Sequence, residues 1–142
     1  MPRKRMLLLV DFSVSGYSAH YAATKMHDAE DLEVVLLVVG IRGRFPARPT
    51  LRSFAELMAE AHRVHGGTAS VRFSNKHPRY AVREMLLRER FSLVVTGSEL
   101  ASCLLRDDSV EWMIVPPAGV PIVVGPARQR EPAEAKYVTE SA

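Results

Sequence analysis

Apolar residues gather in four short unbroken runs along the chain: MLLLV (6–10), VVLLVV (34–39), SLVVTG (92–97) and VPIVVG (120–125). Runs of this length and composition predict strands covered on both faces, as in a parallel sheet. A fifth segment, ASVRF (69–73), alternates, with Ala69, Val71 and Phe73 facing in and Ser70 and Arg72 facing out. That pattern suits an edge strand. Between the runs the period changes to that of a helix. Over 15–29, Ala19, Ala22, Ala23 and Met26 make a stripe of small residues that can lie close to a sheet. Over 51–65, Leu51, Phe54, Leu57, Met58, Ala61 and Val64 recur at helical spacing, with Thr50 as N-cap and Gly66-Gly67 as the stop. Pro78 opens a helix over 78–90 whose buried face is Val82, Met85 and Leu86. A short last helix is expected near 109–115, capped from Asp107, Asp108 and Ser109 and ended by Pro116-Pro117.

Strands that alternate with helices predict an α/β sandwich with right-handed crossovers. In such sheets a ligand sits beyond the carboxyl ends of the strands, where the winding reverses. With the first strand central, two loops meet there: 11–16, and 96–109, TGSELASCLLRDDS. Residues 1–126 make up the expected domain. Residues 41–50, IRGRFPARPT, are expected to form a mobile surface loop, and 127–142, polar and without an apolar stripe, a disordered tail.

Composition narrows the class. A chain of 142 residues with 47% hydrophobic and 25% charged residues suits one soluble globular domain. No apolar run is long enough to cross a bilayer. The start, MPRKRMLLLV, mimics a signal peptide, but its apolar run stops at Asp11 and reads as a buried strand. The single cysteine, Cys103, cannot form an internal disulfide and fits a cytoplasmic location. The net charge is +3, with local groups at Arg3-Lys4-Arg5 and at Arg42, Arg44, Arg48 and Arg52. Only one aromatic, Phe45, lies among these groups, so they read as a solvated basic face rather than a nucleic-acid footprint.

The stretch VDFSVSGYS (10–18) raises the main chemical question: phosphate cradle or strand-to-helix turn. A flavin phosphate loop shares its hydroxyls and glycine. It also needs aromatic loops around the ring, and TGSELASCLL holds none, so FMN is the least favoured ligand. A phospho-acceptor domain lacks its aspartate, because the third strand ends in Phe73-Ser74; no Gly-Lys-Ser/Thr occurs for a Walker A loop. The favoured reading is structural: an N-cap, with Gly16 relieving crowding at the turn. His62 and His65 sit three apart on a helix, but without an evident third ligand they read as surface residues favourable to the helix C-terminus, and His20 and His27 are read with the same caution. Cys103 has no evident activating base, and Ser109 lies in no nucleophile turn. With no catalytic constellation, an enzyme is not expected.

The ordered set LLLVDFS, VVLLVV, LVVTGS, SVEWMI and VPIVVGPA, covering residues 6–126, resembles the universal stress protein family. The most specific pieces are Asp11 closing the first strand with Ser13 two residues on, and the closing VPIVV. The fold so implied is an open five-stranded parallel sheet, order 3-2-1-4-5, with helices on both faces. Nucleotide-binding members carry Gly-x2-Gly-x9-Gly-Ser/Thr after the fourth strand. Here Gly97 holds the first position, Leu100 stands for the second glycine and Asp108 for the third. The interval to Ser109 is also two residues short. The resemblance therefore points to the branch without the phosphate glycines, and to a regulatory or protein-interaction role with an unidentified protein partner. No cofactor is expected. Asp107 and Asp108 are expected to repel a triphosphate. The alternative is weak binding of ATP or AMP: the nucleoside at Asp11, Ser13 and the backbone near Val39, the phosphate at Gly97, Ser98 and Ser109. With order 3-2-1-4-5 the strand Val120–Val124 is an apolar edge, and a homodimer through it, as in family dimers, would cover it.

Overall fold

The first strand shows why the sheet is central. In the computed structural model, which describes residues 4–27, 31–39, 48–118 and 120–125, Met6 through Val10 are all at most 2% exposed. Met6, Leu8 and Val10 enter one apolar cluster and Leu7 and Leu9 the other. Each such buried side chain contributes about 1.5–3 kcal/mol relative to exposure, and only a strand covered on both sides collects that from every residue.

The elements are β1 (Lys4–Val10), α1 (Val14–Met26), β2 (Leu32–Val39), α2 (Arg48–Val64), β3 (Thr68–Ser74), α3 (Pro78–Arg88), β4 (Leu93–Gly97), α4 (Ser98–Ala101), β5 (Glu111–Val115) and β6 (Ile122–Val124). They form one sheet of order β3-β2-β1-β4-β5-β6. The first five positions are parallel, and β6 returns antiparallel to β5. The order 3-2-1-4-5 predicted above is present, with one extra antiparallel strand. α1 and α2 cover one face through Ala19, Ala23, Ala55, Met58 and Ala59. α3, α4 and the approach to β5 cover the other through Ala81, Val82, Met85, Leu100 and Val110. Among the described residues no helix is long and apolar enough to cross a membrane.

Five local expectations are corrected. The helix expected near 109–115 is the strand β5. Trp112 packs on one face of the sheet and Met113 and Val115 on the other, which a strand achieves and a helix of this length cannot. VPIVVG, expected as a fifth parallel strand, supplies instead the three-residue antiparallel edge β6.

On α2 the buried stripe is Ala55, Met58, Ala59 and His62, while Phe54 is 44%, Leu57 67% and Val64 76% exposed. Small residues let the helix approach the sheet, so they face inward in place of the larger ones. Thr50 lies inside α2, which begins at Arg48, and so is not its cap. On β3, Ala69 and Val71 are partly buried as expected, but Phe73 at the strand's end is exposed. The stop at Gly66-Gly67 is as expected: Gly66 has φ +90° and donates to the Arg63 carbonyl at 3.0 Å. Residues 40–47, with Arg42 and Arg44 of the expected loop, Arg3 and the tail 127–142 lie outside the described residues, as do the side chains of Arg48, Thr50 and Leu51.

Candidate functional site

The turn after β1 and the turn after β4 meet at the carboxyl ends of the central strands, as the winding of the sheet requires. Ser13 is the N-cap of α1: its hydroxyl oxygen accepts from the Gly16 N–H at 3.0 Å. The same hydroxyl donates to Asp11 Oδ1 at 2.8 Å, and the Ser13 N–H donates to that oxygen at 3.2 Å. A Cβ on Gly16 would lie 2.3 Å from Asp11 Oδ1, so glycine is what admits the carboxylate here. Phe12, between them, holds a φ of 62°, sparsely populated by residues other than glycine. Its ring stacks edge-on with Tyr17 at 6.3 Å and Phe54 at 6.2 Å between centroids, which fixes the turn. The stretch 10–18 is thus a strand-to-helix turn with a side-chain cap, as the sequence indicated.

A second anion is already seated at the start of α1, and the sequence reading missed it. The Glu99 Oε2 atom accepts from the Ser15 N–H at 3.0 Å and from the Ser15 hydroxyl at 2.8 Å. The Ser15 oxygen in turn accepts from the Glu99 N–H at 3.0 Å. These bonds, led by the Ser15 N–H and followed by the Ser15 hydroxyl, hold the Glu99 carboxyl below its usual range. Such a carboxylate complements the helix dipole as a phosphate would. The only sequence sign was an acid two residues after Gly97, and its partner in α1 lies 84 positions away.

Gly97 is committed to packing. A Cβ there would stand 2.5 Å from the Ser15 carbonyl carbon and 2.7 Å from the Gly16 nitrogen. The bare backbone is therefore covered by the first turn of α1, leaving no gap for a phosphate between them. Leu100, at the position of the second motif glycine, is 1% exposed and belongs to the core.

The structure brings Asp11, Ser13, Gly97 and Ser98 together and sets Val39 beside them. The register Val10↔Val38 places Asp11 and Val39 side by side at adjacent strand ends. Ser109 is not brought in. It precedes β5, whose first residue Glu111 pairs with Leu93 at the start of β4, so it lies at the opposite end of the sheet. There its N–H and hydroxyl donate to Asp107 Oδ1 at 2.8 and 2.6 Å. Asp107 and Asp108 share that location, which corrects the expectation that they repel a triphosphate in the cleft.

One acceptor at the cleft is left over. Asp11 Oδ2 is buried without a hydrogen-bond partner. A buried carboxylate oxygen in this state fits a ligand N–H or O–H donor and is ill suited to a second anion. Among the described residues no cluster of three His, Cys, Asp or Glu could hold a metal ion.

No family model matches the chain, and no curated protein matches it. Solved structures do. The protein described as hypothetical protein MJ0577, the subject of a structure-based assignment of biochemical function, aligns with a TM-score of 0.67 at 14% identity, over 84% of this chain and 100% of that one. A universal stress protein in complex with cAMP aligns with a TM-score of 0.62 at 15% identity, over 83% and 100%. A universal stress protein family member from Burkholderia pseudomallei aligns with a TM-score of 0.58 at 18% identity, over 82% and 97%. At these identities the likeness concerns backbone architecture, and it establishes that this chain has the α/β fold of the universal stress proteins.

Proposed function

We propose that the chain is a universal-stress-type regulatory, protein-interaction protein that works as a homodimer, without catalysis and without strong ATP binding. One observation carries this reading: the donors at the start of α1 are taken by the Glu99 carboxylate. A triphosphate approaching there meets a fixed negative charge, and Gly97 offers it no bare backbone. The homodimer is supported by the open edge at β6, where Val120 is 82% and Ile122 and Val123 are each 59% exposed. An apolar edge of this kind is protected when a second copy covers it. Sedimentation equilibrium should give twice the chain mass, and a charge placed at Ile122 by Ile122→Lys should yield monomer.

Thermal melting with Mg-ATP tests the nucleotide part. A ligand at a hundred times its Kd stabilises by about 2.7 kcal/mol, which is readily seen as a higher Tm. Millimolar Mg-ATP should leave the Tm in place, and a shift at micromolar ATP contradicts the proposal. Leu100→Gly should not create affinity either. It removes a buried side chain, destabilises by about 2–5 kcal/mol and leaves Glu99 seated.

A second reading has its own observation in the orphan Asp11 Oδ2. It would accept a hydrogen bond from a nucleoside amino or hydroxyl group lying against the end of β2 near Val39, with ATP or AMP held weakly through that part alone. The fold neighbour crystallised with cAMP lends this reading support. Adenosine and AMP binding equally well, and Asp11→Asn abolishing both, would favour it.

A further inference from the structure

Three histidines form a chain between α1 and α2. His62 on α2 is fully buried, His27 at the end of α1 is 8% exposed, and His20 on α1 is partly covered. His62 Nδ1 lies 2.8 Å from His27 Nε2, and His62 Nε2 lies 3.2 Å from His20 Nδ1. Both ring pairs meet edge-on at 5.0 Å between centroids. Gly67 makes room for the end of this chain, since a Cβ there would stand 2.2 Å from His27 Cε1. The surface expectation for these histidines is thereby corrected: the stripe of α2 that faces inward ends in His62, and the ring is tolerated there because each of its nitrogens has a partner.

Proton counting shows what the chain can hold. Each of its two N···N bonds needs one proton between the nitrogens. The nitrogens that point away from His62, His20 Nε2 and the buried His27 Nδ1, can each carry one more. Three neutral rings bring three protons and satisfy both bonds. A fourth proton fills the second of these two end nitrogens and leaves both bonds intact. A fifth must set two N–H groups against each other and break a bond, with two of the three rings positively charged.

We propose that His20, His62 and His27 are an acid-released latch between α1 and α2, closed while the three rings share at most one extra proton and opened when a second arrives. The titratable groups facing His62 are His20 and His27 from α1 and His65 from α2 itself, and all of them resist its protonation. The strands beneath present Leu32, Val34 and Leu36 of β2 and Ala69 and Val71 of β3, which carry no charge. Burial, ahead of the neighbouring rings, lowers His62 to about 3, and burial lowers His20 as well.

In an opened chain these rings titrate near pH 6.5. Below that value the open state binds protons that the closed state refuses. The closed form therefore loses stability as pH falls from about 6.5 toward 3, by up to tenfold in its equilibrium constant per pH unit for each refused proton.

Amide hydrogen exchange on the full chain tests this at pH 7.5 and pH 5, after correction for intrinsic rates. The opening constant of segments 20–27 and 58–66 should rise at least tenfold at pH 5, while β4 keeps its protection. In His62→Gln, which cannot take a proton, that rise should shrink about tenfold. His77→Gln, at an exposed position, should leave the rise unchanged. Should His62→Gln fail to fold, NMR titration of the wild-type rings decides, with the His62 midpoint expected below pH 4.5. Equal protection at both pH values, a loss spread evenly over α3 and the sheet, or a His62 midpoint near 6.5 would overturn the latch.

Discussion

Gly97→Ala should destabilise the fold by about 3 kcal/mol, at the upper end of what overpacking costs. The new methyl group meets backbone and cannot be relieved by a rotamer change: its nearest neighbours are the Ser15 carbonyl carbon and hydroxyl oxygen at 2.5 Å and the Gly16 nitrogen at 2.7 Å. Moving the first turn of α1 away from β4 would also loosen the Ser13 cap and the Ser15–Glu99 pairing. With a slope of about 1–2 kcal/mol per M urea, the unfolding midpoint should fall by roughly 1.5–3 M. Gly125→Ala, where nothing lies within 4 Å, is the matched control and should stay within about 0.5 kcal/mol. A Gly97→Ala protein as stable as the parent would mean that α1 does not rest on the end of β4.

Trp112→Ala should cost about 3–5 kcal/mol. The indole is 1% exposed, fills the cluster beside Leu100 and Val110, and donates from Nε1 to the Asp107 carbonyl at 3.0 Å. Its removal leaves a cavity under the approach to β5 and a carbonyl without its donor. Trp112→Phe keeps most of the volume and loses the N–H, so about 1 kcal/mol is expected. Urea melts followed by far-UV circular dichroism read both variants without relying on the tryptophan. Near-equal values for the two substitutions would contradict the placement of residues 111–115 in the sheet interior.

The parts of the fold that were legible in the sequence are those where one physical signal acts alone. Unbroken aliphatic runs marked β1, β2 and β4, because only strands buried on both faces tolerate such runs. Gly66-Gly67 and Pro78 marked helix ends for backbone reasons that no tertiary contact overrides. The segment 109–115 was misread because Asp107, Asp108 and Ser109 imitate helix caps. Asp107 in fact folds back on Ser109 in a local turn, and Trp112 decides the matter through long-range burial. The inner face of α2 was misread because large apolar residues outbid alanine in any pattern, whereas the sheet selects for close approach. In the candidate site, the cap at Ser13 and the crowding relief at Gly16 could be read locally. The Glu99–Ser15 pairing and the His20–His62–His27 chain could not, since their partners lie 84 and 35 to 42 positions apart. Ser109 was assigned to the site by motif spacing, and the chain between Ala101 and Glu111 carries it to the other end of the sheet.

The seated carboxylate of Glu99 underlies the whole view of this cleft, and NMR can read it directly. Following the Glu99 side-chain carboxyl carbon through an acid titration should give a midpoint below the ordinary glutamate value of 4.5, because the Ser15 N–H and hydroxyl favour the ionised form. The sign then follows for stability: this contribution is complete above the ordinary value and is lost as pH falls through the lowered midpoint. In Ser15→Ala the midpoint should move back up. A wild-type midpoint at or above the ordinary value, unmoved by Ser15→Ala, would show that the carboxylate does not sit on α1 and that the donors there are free for another anion.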